Sequence, residues 1–143
     1  MALGLNPSSR ADDVRLIKVL PQFLDKEGLQ ALTPSLYDRD AYQAFLRKNP
    51  DKRSGLRFAV QWKGTSTKDH PLKLRVELRG VSEVKGTRTV ELSLKPQKHS
   101  WWSHWDNVIV NESSYKELKE VTAWKVVLWD GDHAIGEQKS FLW

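Results

Sequence analysis

The feature that most limits what this chain can fold into is a strict alternation of aliphatic and charged residues. Leu72, Leu74, Val76 and Leu78 are separated by Lys73, Arg75 and Glu77. Only an extended strand puts such residues on opposite faces, one for a core and one for water. Val90, Leu92 and Leu94 repeat the pattern against Thr89, Glu91, Ser93 and Lys95. Leu56, Phe58, Val60 and Trp62 form a third run, opposed by Arg57, Gln61 and Lys63. A helix would scatter these charges through its apolar face.

Turn-forming residues separate the runs. Gly80 to Gly86 reads as a longer hairpin, Gly64 to Pro71 as a polar turn, and Asp130-Gly131 as a tight hairpin turn before a last strand over His133–Trp143. Val121–Trp129 is apolar on both faces, as is Val14–Leu20, so something must cover the second face of these strands. A helix over Asp38–Asn49 is the candidate cover. Ala41, Tyr42, Phe45 and Leu46 fall at helical spacing, Asp38 and Asp40 favour the start, and Arg47, Lys48 and Pro50 favour the end. Asp25–Leu36 reads as a connector, and Asn107–Asn111 as another strand. The fold expected is mainly β: a two-sheet antiparallel β-sandwich of about seven strands, with one short helix inserted after the first.

That arrangement resembles immunoglobulin-like and fibronectin-III-like domains over roughly Val14 to Trp143, as found in bacterial proteins without a named functional family. Tyr115, in SSYKELKEVTAW, is similar to the tyrosine that precedes the penultimate strand of such sandwiches. The resemblance implies that its hydroxyl bonds nearby backbone. The chain departs from the pattern in having no cysteine pair and in carrying the helical insertion.

With 143 residues the chain fits one domain over 14–143, large enough to fold without disulfide or metal, with 1–13 as a flexible lead-in. Cysteine is absent, which excludes disulfides and cysteine nucleophiles and leans toward the cytoplasm without fixing a compartment. No apolar run is long enough for a membrane span. The net charge of +5 is spread among interspersed charges, so dedicated nucleic-acid binding is disfavoured.

Chemistry-bearing patterns are few. There is no G-x-S-x-G, no phosphate loop and no dinucleotide loop, so neither an enzyme nor a cofactor is expected. Asp130, Asp132 and His133 are accounted for by turn chemistry, and no metal is expected. The most unusual stretch runs from His99 to Trp105, with three of the seven tryptophans, Trp101, Trp102 and Trp105, beside His99 and His104. Aromatic faces next to cations stack sugars or unpaired bases. The favoured alternative is that these rings plug the open end of the sandwich. The C-terminal Phe141, Leu142 and Trp143 complete the last strand or offer an apolar edge to a partner. These features point to a non-catalytic interaction or adaptor module whose partner is a protein or a second copy of the chain. Carbohydrate binding through the tryptophans is the runner-up, and weak nucleic-acid binding comes third.

Overall fold

A computed structural model describes residues 14–81, 87–95 and 103–143. Seven strands and two helices follow one another among them: β1 (Arg15–Asp25), α1 (Leu36–Lys48), β2 (Arg53–Lys63), β3 (Leu72–Gly80), β4 (Thr87–Ser93), β5 (Ser103–Val110), α2 (Glu112–Leu118), β6 (Val121–Asp130) and β7 (His133–Lys139). They form two antiparallel sheets, β1-β2-β5 and β4-β3-β6-β7. The two-sheet sandwich expected from the alternation is therefore present. Its fourth strand pairs with the third, whereas a constant-type immunoglobulin domain places its fourth strand in the other sheet.

The alternating residues fill the space between the sheets. Phe58, Val60 and Trp62 of β2 are fully buried, opposite Leu74, Val76 and Leu78 of β3 and Val126 and Leu128 of β6. Each such side chain stabilises the fold by about 1.5–3 kcal/mol relative to exposure, before cavity effects are added. The β6–β7 turn uses Gly131 at φ +62°, a conformation costly for other residues. Gly80 ends β3 where a Cβ would stand 2.6 Å from the Leu118 carbonyl oxygen, so the end of α2 lies against the strand.

Four expectations need correction. One helix was expected, and α2 is a second. It is capped by the Asn111 side chain, which accepts from Ser114 N–H at 2.8 Å. Tyr115 lies on this helix, and its hydroxyl accepts from Arg53 Nη1 at 3.5 Å instead of bonding nearby backbone. Helix α1 does not cover β6 but packs beside β1. The outward residues Ala123 and Val127 of β6 are buried, with Arg79, Arg75 and Glu137 as their register partners, and Trp143 of the returning tail lies beside Arg79 and Lys125. Finally, β5 begins at Ser103, four residues before the expected start.

Helix α1 starts where Ser35 accepts from Asp38 N–H, and ends at Asn49 before Pro50. Its role is visible at the unpaired edge of β1. Gln43 accepts from Phe23 N–H at 2.7 Å and donates to Phe23 C=O at 2.9 Å, so one side-chain amide stands where a neighbouring strand would be. Nearer the start of β1, Gln138 of β7 donates to Ile17 C=O at 2.9 Å. Pro21, between them, has no N–H to offer. The edge is thus closed to strand addition by two glutamines and a proline.

Candidate functional site

The residues singled out from the sequence are not brought together. His99, Trp101 and Trp102 lie outside the described residues. His104 and Trp105 are adjacent on a strand and therefore face opposite sides of sheet β1-β2-β5. Trp105 is 50% exposed on the outer face, opposite Gln61 in register. His104 turns inward, its ring 4.7 Å from that of Trp62, with Nε2 buried and unpartnered among the described residues. From Ser103 onward the stretch is part of β5, with His104, Asp106, Val108 and Val110 on its inward face.

At the C-terminus, β7 pairing stops at Lys139. Ser140 accepts from Trp124 N–H through its hydroxyl and donates its own N–H to Trp124 C=O, which turns the tail away. Phe141 is fully exposed and Leu142 70% exposed. Trp143 lies beneath the Arg79 guanidinium, 3.8 Å from its ring centroid.

On the outer face of the four-stranded sheet Glu77 and Glu91 are matched by cations, while Trp129 Nε1 is buried without a hydrogen-bond partner among the described residues. Glu91 accepts from Arg75 at 3.0 Å and pairs with Lys73 at 3.3 Å, and both hold its carboxyl below the usual range. Glu77 pairs with Lys125. Arg75 lies over the Trp129 ring, and a shallow cavity of about 250 Å³ lies beside them. No cluster of metal-ligating side chains occurs among the described residues.

Two other regions are less complete. The first is the segment from Leu29 to Phe45, which holds α1 and the connector before it. Leu32 and Leu36 are each 66% exposed and Tyr37 83% exposed. Leu32, Ala41, Tyr42 and Phe45 line a shallow groove of about 320 Å³, with the rings of Tyr42 and Phe45 stacked at 5.7 Å. The segment is moored by polar contacts. The Tyr42 hydroxyl donates to Asp25 at 2.5 Å, and Asp25 also accepts from the N–H groups of Glu27 and Leu29. Burial works to raise the Asp25 carboxyl, but the Tyr42 hydroxyl and the Leu29, Glu27 and Gly28 N–H groups outweigh it and hold it below its ordinary value. The same hydrogen bond, with burial and the nearby carboxylates, pushes the Tyr42 hydroxyl up to about 12. Sequence reasoning assigned this segment as connector and covering helix. Yet only Leu46 of the helix is fully buried, and the signal lay in leucines at 29, 32 and 36, more apolar residues than one packing stripe can use.

The second is a cleft of about 340 Å³ between the sheets, beside the end of β7 and the late half of β1. Phe23 and Trp124 form its aromatic walls, and Arg47, Arg53 and Glu120 supply charge. Arg53 is buried. Its Nε donates to Leu46 C=O at 2.6 Å and its Nη2 to Arg47 C=O, so it caps the C-terminus of α1, while its guanidinium lies 4.0 Å from the Phe23 ring centroid. Among the described residues it has no carboxylate partner. The opposite wall is set by an unusual turn: Lys119 has φ 65° and ψ −65°, and Glu120 N–H donates to Leu118 C=O at 2.7 Å. This is a γ-turn of the strained, positive-φ kind. Arg53 was not legible as a site residue, because a lone arginine at a strand start has no pattern.

No family model matches the chain, and no curated protein matches it. A crystal structure from Akkermansia muciniphila is similar at 16% identity and a TM-score of 0.48, over 89% of this chain and 69% of that one. No helix among the described residues is long and apolar enough to cross a membrane.

Proposed function

We propose that this domain is a non-catalytic interaction module that binds a protein, with a second copy of itself as the first partner to test, through the segment from Leu29 to Phe45. One observation carries the reading. Of the eleven exposed large hydrophobic residues among the described residues, five lie in this segment: Leu29, Leu32, Leu36, Tyr37 and Phe45. Scattered exposed leucines need no explanation, but contiguous ones mark contact surfaces. A rigid sandwich carrying the segment also fits the expected resemblance to immunoglobulin-like and fibronectin-III-like modules.

The test is sedimentation velocity across micromolar concentrations, on the wild type and on a Leu32→Ser/Leu36→Ser/Tyr37→Ser variant, with melting temperatures for both. Concentration-dependent association that the variant loses at an unchanged melting temperature supports a second copy as partner. A wild type that stays monomeric, with a variant at least as stable, moves the reading to a different protein. A variant that melts well below the wild type shows the residues to be structural and removes the reading.

The carbohydrate reading keeps one favourable observation, the half-exposed Trp105 beside Gln61 on a sheet face. Oligosaccharide titration of a Trp105→Ala variant tests it, and binding that survives the substitution removes this ring from the reading. The nucleic-acid reading draws little from the four-stranded sheet, whose Lys73, Arg75 and Lys125 are already paired with glutamates.

A further inference from the structure

The geometry points to the cleft between the sheets as a binding site for a monocarboxylate on a short apolar stem. The inference does not depend on the partner reading of the helical segment.

The argument begins with Arg53. A buried guanidinium is ordinarily matched by a carboxylate, since burying a charge is costly without one. Here the two carbonyls at the end of α1 take one side of it and the Phe23 ring covers a face. Among the described residues, three of its five N–H groups have partners, and the one to the Tyr115 hydroxyl spans 3.5 Å. The cleft beside it is lined by a second cation, Arg47, which is exposed. Two guanidinium groups at a cavity with aromatic walls suit a planar carboxylate, which accepts from arginine in bidentate fashion.

The remaining lining sets the rest of the ligand. Phe23 and Trp124 offer apolar faces to a stem, and Ser140 keeps a hydroxyl hydrogen free to donate once its oxygen has accepted from Trp124 N–H. Glu120 opposes a doubly charged anion, which disfavours phosphate against a monocarboxylate. The strained turn at Lys119 sets Glu120 and Val121 in the wall, and strain of this kind is concentrated where a site requires it. The volume is at the small end of ligand sites. Such a carboxylate occurs on a free organic acid and at the C-terminus of a peptide.

The experiment follows the amide signals of Thr122 and Ser140 and the Trp124 indole by nitrogen–proton NMR. The probes are 3-phenylpropanoate, its neutral amide, and N-acetyl-glycyl-phenylalanine with a free C-terminus. Saturable shifts are expected with the acids, and binding at least about tenfold weaker with the amide. Arg47→Gln, which leaves the backbone contact to Arg53 intact, is expected to weaken acid binding about three- to tenfold. Thr122→Phe, at the mouth, is expected to abolish it. Both variants should keep the wild-type melting temperature. A tighter peptide assigns the site to chain termini, and a tighter phenylpropanoate to free acids; either supports the site. Equal binding of acid and amide, no saturable shift with either acid, or undiminished binding in Arg47→Gln overturns the proposal.

Discussion

The outer face of the four-stranded sheet and the helical segment from Leu29 to Phe45 treat exposed side chains in opposite ways. On the sheet, Glu77 and Glu91 each have a cation, and Trp129 and Trp143 each have an arginine over the ring. On the segment, Leu32, Leu36 and Tyr37 stand in water with nothing over them. The sheet face carries many weak contacts, each of which is expected to be dispensable. The segment adds little to the core and is held by a few strong polar contacts. Surface completeness and stability are therefore different properties: the bare region depends on a small set of residues, and the finished one on none in particular.

The contrast can be broken or sharpened in four ways. The largest effect belongs to Arg53→Ala, which leaves two helix-end carbonyls without a donor and bares the Phe23 ring. A loss of about 2–4 kcal/mol is expected. Thermal unfolding would show this as a drop of roughly 10 °C. A change near zero would mean that α1 is held by other means.

Next comes Tyr42→Phe, with an expected loss of about 1–2 kcal/mol near neutral pH. Its pH dependence follows from the two shifts. The Asp25 carboxyl is held below its ordinary value, so its contribution is full above pH about 4 and is lost as pH falls through the lowered folded value. The Tyr42 hydroxyl is raised from 10.0 to about 12, so its contribution is full below the former and is lost as pH rises through the latter. The melting-temperature difference between wild type and variant should be level between these limits and shrink beyond both.

Trp143→Ala, on the sheet side, removes the Arg79 contact and is expected to cost about 0.5–1 kcal/mol by denaturant titration. Glu91→Gln should leave the melting temperature unchanged at physiological salt, because both of its cations are partly exposed and keep access to water without it. A large effect in either would show that the sheet face depends on individual contacts after all.

How much of this was legible depends on how local the cause is. The runs at Leu72–Leu78 and Leu56–Trp62 announced their strands because alternation is a property of neighbours. Asp130-Gly131 announced its turn for the same reason. The second helix was missed because Glu112–Leu118 is only seven residues long and is fixed by the Asn111 cap and by burial of Tyr115 and Leu118. The true start of β5 was missed because His104 and Asp106 are polar residues on an inward face, a placement that only the neighbouring Trp62 explains. The cleft was illegible for a stronger reason: Phe23, Arg53 and Trp124 meet across both sheets, and no spacing in the chain encodes that meeting.

The amide of Gln43 against the backbone of Phe23 has a consequence for how the protein assembles. β1 and β2 are joined through α1, so the two strands can pair before the helix has docked. During that interval the outer margin of β1 is an open template, and extended segments of other chains compete with the helix for it. The order of events, and not the final fold alone, then decides how much of the newly made protein escapes aggregation. Gln43→Ala would lengthen that interval while leaving the finished core untouched, and its mark would be a concentration-dependent refolding yield.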